Sequence, residues 1–170
     1  MQRLQIQVEP IDLIQMREID IAISYKAAIS RSGIAVQPLG LERIVPLSPS
    51  VLCDDVPLEA QISALTLIDS QLSRVTWKEW FALNGLQFPN RPRQSFDRAA
   101  LAISAAVDGM GVALETVRLA ERELSSGALL ELGAGVFKAI ECETHFLSCR
   151  TNERDLQKIR LFSSLLFSKI

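Results

Sequence analysis

Residues 95–114 read SFDRAALAISAAVDGMGVAL and combine a polar turn, a helix of small residues, two glycines and an apolar strand. Asp97 is predicted to be the helix N-cap, and Gly109 has the position of a left-handed residue just past the helix end. The many alanines of this helix allow it to pack closely on a sheet. Because a capped helix N-terminus after a polar loop can hold a small anion, Ser95, Phe96 and Asp97 form a candidate ligand-binding turn.

The elements around this stretch alternate between strands and helices. The hydrophobic pattern predicts strands at residues 3–8, 19–24, 34–39, 41–47, 65–68 and 141–150, and a helix at 77–83 that Gly85 ends. A last helix follows Asn152 and carries a core-facing apolar stripe of Leu156, Ile159, Phe162, Leu166 and Ile170. Such alternation indicates an α/β chain with a largely parallel sheet, in which ligands bind beyond the carboxyl ends of the strands.

Composition excludes several classes of protein. The chain has 170 residues, 48% of them hydrophobic, which is enough for a core. Its net charge of -2 and pI of about 5.5 argue against a nucleic-acid-binding surface. No apolar stretch approaches the roughly 20 residues of a membrane span, and the first residues lack a signal-peptide core. We therefore expect a cytoplasmic location.

The cysteines and the lone histidine do not form a predicted metal or catalytic centre. On a single strand over residues 141–150, Cys142 faces away from His145 and Cys149, and the latter two lie roughly 13 Å apart at about 3.3 Å per residue. Zinc needs its ligands about 2.0–2.3 Å from one ion. We therefore expect core cysteines and no metal site. Because the sequence shows no clustered set of titratable groups, we also expect no enzyme activity, and no cofactor is predicted.

Five segments resemble motifs of the LysR-type transcriptional regulators, in order and over nearly the whole chain. Residues 20–25, DIAISY, are similar to the D-[IL]-A-I-R-Y strand, and residues 42–49, ERIVPLSP, to the E-x-[LI]-V-P-V-x-S-P crossover. WKEWF at 77–81 resembles the glycine-cleavage-activator branch. The remaining matches are FD at 96–97 with AAVDGMGVAL at 105–114, and ELSSGAL at 123–129.

The resemblance implies an effector-binding domain with a periplasmic-binding-protein-like α/β fold. Residues 1–56 and 142–170 would form lobe I and residues 57–141 lobe II, with a small-molecule effector in the cleft between them. The implied ligand-binding residues are Tyr25 and Lys26 from lobe I, Ser48 and Pro49 at the crossover, and Ser95, Phe96, Asp97 and Met110 from lobe II. Ser95 would donate a hydrogen bond, Phe96 would stack on the ligand, Asp97 would cap the helix, and Met110 would wall the cleft.

The sequence also departs from the family pattern. The helix-turn-helix of the family is absent from this sequence, so we expect the chain itself to make no direct DNA contact. DNA would be bound by a full-length regulator. The strand and helix that normally open lobe I are missing as well, which predicts a truncated first lobe and weakens the expected homodimer surface. Ser24 stands where the family has arginine. An amino acid or a small carboxylate is the expected effector; the alternatives are a transporter's solute receptor, an enzyme and a non-binding remnant.

Overall fold

The computed structural model of the chain describes residues 11–26, 31–49 and 55–168. The predicted strand at residues 3–8 therefore lies outside the described residues. The chain divides into two compact units, one made of Met1–Leu41 with Glu143–Ile170 and the other of Glu42–Cys142. Their strands and helices, in chain order, are β1 Ile21–Tyr25, β2 Ile34–Pro38, β3 Leu41–Ser48, α1 Leu58–Ala64, β4 Leu67–Ser70, α2 Trp77–Leu83, β5 Gln94–Phe96, α3 Ala99–Val107, β6 Val112–Thr116, α4 Glu121–Ser125, β7 Leu130–Glu131, β8 Ile140–Glu143, β9 His145–Arg150 and α5 Gln157–Phe167.

The first unit contains a three-stranded sheet in the order β1-β9-β2. Both β1 and β2 pair antiparallel with β9, which corrects the prediction of a largely parallel sheet for this part of the chain. Arg150, at the end of β9, fixes the loop before β1. Its guanidinium donates to the carbonyls of Leu13 and Ile19, at 2.8 Å each, and forms ion pairs with Asp20 and Glu153.

The last helix differs from its sequence prediction in two ways. Asn152 lies within a 3-10 turn, Thr151–Glu153, and Leu156 instead occupies the N-cap position of α5 without a side-chain cap. Of the predicted apolar stripe, Ile159 is buried, whereas Leu156 and Phe162 are 44% and 42% exposed. The described part of the first unit therefore covers only a portion of this face.

The second unit holds a mixed sheet in the order β5-β4-β6-β3-β7, and β8 also pairs with β3. Strands β5, β4 and β6 are parallel, while β3 runs antiparallel to β6 and β7. The prediction of a parallel sheet is therefore confirmed for β4, β5 and β6. The single strand predicted at 141–150 is divided at Thr144 because β8 joins the sheet of the second unit and β9 that of the first.

Helices cover both faces of the second sheet. On one face, Trp77, Trp80 and Phe81 of α2 pack with Ile62 of α1 and the apolar side chains of β6. On the other face, the alanines of α3 pack against Val45, Leu47, Ile68 and Ala113. Side chains of β6 alternate between the faces, as expected for a strand. Both faces are therefore buried, which explains why the first three residues of β6, 112–114, are all apolar.

The unit boundaries differ from the predicted lobe boundaries at β3. The compact units divide the chain after Leu41 and after Cys142, whereas the sequence prediction divided it after residues 56 and 141. Strand β3 belongs with the second unit because it pairs with β6 and β7. That the two units act as ligand-binding lobes stays a prediction.

Candidate ligand-binding site

The three parallel strands of the second unit end at one edge of its sheet. Ser70 of β4 is in register with Phe96 of β5, and Ile68 of β4 with Ala113 of β6. The strands therefore end near Ser70, Phe96 and Thr116, and we call this the carboxyl edge. Ligands of open α/β sheets bind at such edges, next to helix N-termini.

Ser95 and Phe96 lie at the carboxyl edge as the last residues of β5, rather than in the polar turn that the sequence predicts before α3, and their ligand binding stays a prediction. The side-chain amide of Gln71 donates to the Ser95 hydroxyl oxygen at 3.1 Å, and the Gln71 backbone N–H donates to the Phe96 carbonyl at 2.8 Å. Because the Ser95 oxygen accepts from Gln71, its own proton can be donated to a ligand. The Phe96 ring packs in part against the core below α3.

Asp97 does not cap α3, so that prediction is wrong. The helix begins at Ala99, and the N-cap is Arg98, whose backbone is extended with φ -129° and ψ 141° and whose side chain makes no cap hydrogen bond. The chain stays extended one residue longer than the sequence suggested. Asp97 is exposed instead and lies 3.8 Å from the Arg98 guanidinium. The predicted left-handed glycine after the helix is confirmed, since Gly109 has φ +74°.

Ser48, Pro49 and Met110 lie at the opposite end of the same sheet. Because β3 runs antiparallel to β6, with Leu47 opposite Ala113, Ser48 is level with the start of β6. Phe96 is level with Glu115, about 10 Å further along the strands at about 3.3 Å per residue. Met110 lies just before β6, and its carbonyl accepts from the side chain of Gln94, where β5 begins. The structure therefore does not bring these three residues together with residues 95–97.

Tyr25 and Lys26 belong to the first unit, where β1 ends. The Tyr25 ring lies 4.9 Å from the His145 ring, its partner on β9. Lys26 is exposed, has a left-handed backbone with φ +77°, and donates its backbone N–H to the Thr144 carbonyl at 2.8 Å. Their role in ligand binding stays a prediction.

Two buried carboxyl groups that the sequence did not predict as site residues lie near the carboxyl edge, Glu42 and Glu115, each 2% exposed. Glu42, near the start of β3, accepts from the Thr116 hydroxyl at 2.7 Å and from the Arg118 guanidinium at 3.3 Å. Glu115 belongs to β6 and lies opposite Val45 of β3. A charged residue directly after the apolar run of residues 112–114 is the signal that could have identified it.

Glu115 has an unusual environment for a carboxyl group. Burial raises its pKa to about 7, and the charge of Glu42 adds to this, against hydrogen bonds from Ser70 and from the Thr116 backbone that lower it. One carboxyl oxygen, Oε1, is buried without a hydrogen-bond partner. Buried polar atoms of this kind call for a specific explanation, such as a ligand or a functional role.

The raised pKa of Glu115 predicts a pH-dependent stability. Between about pH 4.5 and 7 the folded chain holds a proton that the unfolded chain has released, so stability falls as pH rises through that interval. At about 1.4 kcal/mol for each pH unit, the loss reaches up to about 3 kcal/mol. Urea unfolding at pH 5 and pH 7 should show this loss for the natural chain and a smaller one for Glu115→Gln. Equal losses in both proteins would contradict the assignment.

Other features of the described residues bear on cofactors and membranes. In residues 11–26, 31–49 and 55–168, no three His, Cys, Asp or Glu side chains are grouped so that they could hold a metal ion. Burial raises the pKa of the Cys142 and Cys149 thiols, which keeps them protonated. Over the same residues, no helix has the length and apolar character needed to cross a bilayer.

The model of the LysR substrate binding domain matches residues 3–169. The chain belongs to this family. Among curated proteins it is 40% identical over 111 residues to the uncharacterized HTH-type transcriptional regulator y4mQ of Sinorhizobium fredii, covering 65% of this chain and 37% of the relative. It is 28% identical over 156 residues to the glycine cleavage system transcriptional activator of Escherichia coli, covering 89% of this chain and 50% of the relative.

Solved structures confirm the predicted fold of this LysR-family chain. The AmpR effector binding domain from Citrobacter freundii superposes with a TM-score of 0.72 at 22% identity, covering 94% of this chain and 78% of that one. The expected periplasmic-binding-protein-like α/β fold is therefore confirmed. The chain spans about a third to a half of the length of the curated relatives it matches.

Proposed function

We propose that this chain binds a small-molecule effector and thereby controls the DNA binding of a full-length LysR-type regulator. The observation that carries the proposal is the carboxyl edge of the second unit. There a hydroxyl with an available proton, an aromatic ring and a buried carboxyl group lie at the ends of parallel strands, supplied by Ser95, Phe96 and Glu115. A few polar groups among apolar surfaces are typical of small-molecule sites.

The remaining assignments follow from family membership. The two compact units, Met1–Leu41 with Glu143–Ile170 and Glu42–Cys142, are proposed as the two effector-binding lobes, and Tyr25 and Lys26 are proposed as ligand-binding residues of the first. We propose that another part of the full-length regulator contacts DNA and that the present chain has no catalytic activity. We also propose that the regulator acts as a homodimer in the cytoplasm. The relatives and solved structures reported above are regulators, and they give no support to a transport receptor.

Removing the Ser95 hydroxyl tests the site. A hydrogen bond to an uncharged partner contributes about 0.5–1.5 kcal/mol, so Ser95→Ala should weaken binding by about three- to tenfold. Titration calorimetry with a panel of amino acids and small carboxylates measures this. The matched control is Ser104→Ala, on the exposed side of α3, which should bind like the natural chain. Equal affinity in Ser95→Ala would remove Ser95 from the site, and absence of all binding would favour a non-binding remnant.

A further inference from the structure

Glu115 is a buried carboxyl group of the carboxyl edge with one oxygen that its described neighbours leave without a hydrogen bond. Its Oε1 atom has no hydrogen-bond partner, although the residue is only 2% exposed. Its neighbour Glu42 is equally buried but has two partners, Thr116 and Arg118. The two carboxyl groups lie near the same edge but on opposite faces of the sheet, and both oxygens of Glu42 have partners whereas one oxygen of Glu115 has none.

The charged groups on the elements around Glu115 are already engaged with one another. From β3, Glu42 pairs with Arg118, and Arg43 binds Glu131 at 2.9 Å. From β4, Asp69 pairs with Arg93 at 2.8 Å, and at the start of α3 Arg98 lies beside Asp97. Glu42 is the charge that acts on Glu115, and its sign is the same. The surroundings therefore favour a positive group at Glu115 and oppose a second anion.

We propose that Glu115 receives a primary ammonium group of the effector. An ammonium group carries three donors, so it can satisfy the buried Oε1 atom and still donate to the neighbouring hydroxyl oxygen of Ser70. Hydrogen bonds between charged partners are about twice as strong as neutral ones. The inference rests on the proposed function, and it narrows the effector to amino acids and amines, excluding simple carboxylates.

A pair of probes that differ in one group tests the inference. L-alanine and L-lactate share a carboxylate and a methyl group, but only L-alanine carries an ammonium group, and ethanolamine carries an ammonium group without a carboxylate. Each is titrated into the 170-residue chain while the carboxyl carbon of Glu115 is followed by NMR, with the signal assigned from Glu115→Gln. Calorimetry then compares the natural chain, Glu115→Gln and the control Glu121→Gln, whose side chain is exposed on α4.

The ammonium probes should shift the Glu115 signal and lower the pKa of its carboxyl group, so that their affinity rises between pH 6 and pH 8. Glu115→Gln should weaken them by about tenfold or more, as expected for a charged hydrogen bond, and leave L-lactate and the Glu121→Gln control unchanged. If the ammonium probes leave the Glu115 signal in place, the inference is overturned. Binding of L-lactate alone would then keep the proposed function and reject only the ammonium site.

Discussion

Replacing Trp80 with alanine should lower the free energy of unfolding by about 3–5 kcal/mol, the range for buried aromatic residues. The indole is fully buried in the α2 face of the second unit. It makes edge-to-face contacts with Trp77, Phe81 and Phe137, with ring centroids 5.6, 5.4 and 5.1 Å away. Truncation removes all three contacts and leaves a cavity that this rigid cluster cannot fill.

Urea unfolding measures this loss of stability, and two control variants separate the effect of the cavity from other effects. Trp80→Phe should cost far less, because it keeps much of the ring and removes an indole N–H that has no hydrogen-bond partner. Leu83→Ala, on the same helix but 43% exposed, should cost well under half as much as Trp80→Ala. If Trp80→Ala and Leu83→Ala cost the same, the core is not organised around Trp80.

Gly111→Ala should destabilise the chain by about 3 kcal/mol, at the upper end for added atoms in a packed core. A Cβ atom at this position would lie 2.4 Å from the Thr66 carbonyl oxygen and 3.2 Å from the Ile68 side chain. The same carbonyl accepts the Val112 backbone N–H at 2.9 Å, so moving it away also strains the junction of β4 and β6. No rotation of a side chain can relieve a contact with backbone.

Gly109→Ala is the matched control for this prediction. Gly109 follows the end of α3 and has a left-handed φ of +74°, but nothing lies within 4 Å of a Cβ atom added there. Its cost should be about 1–2 kcal/mol, the conformational penalty alone. Thermal unfolding of both variants measures the difference. Equal melting temperatures would show that Gly111 is not in close contact with the Thr66 backbone.

Local patterns predicted the elements whose signals lie within a few residues. The helix Trp77–Leu83 has its expected bounds because Thr76 and Glu79 form a capping box at one end and Gly85, with φ +67°, allows the chain to turn at the other. The helix predicted before Gly109 is likewise confirmed as α3. Its local signals are its alanine content and Gly109, which has a left-handed φ. In these segments the local preference and the tertiary packing agree.

The errors arose where partners distant in sequence decide the structure. Division of the 141–150 strand at Thr144 depends on β8 and β9 pairing with different sheets, which no local pattern records. The antiparallel direction of β3 places Ser48 far from Phe96, although both lie in motifs that the family resemblance joined into one site. Glu115 was missed because its importance comes from burial and an unsatisfied oxygen rather than from a motif.

Amide chemical shifts across the second unit test the location of the effector site most directly. The chain is titrated with the tightest-binding member of the amino-acid and carboxylate panel, and shifts are mapped on the sheet. We expect the largest changes at the carboxyl edge, at residues 70–71, 95–96 and 115–116. Changes concentrated at residues 48–49 and 110, at the other end of the sheet, would contradict an effector site at the carboxyl edge.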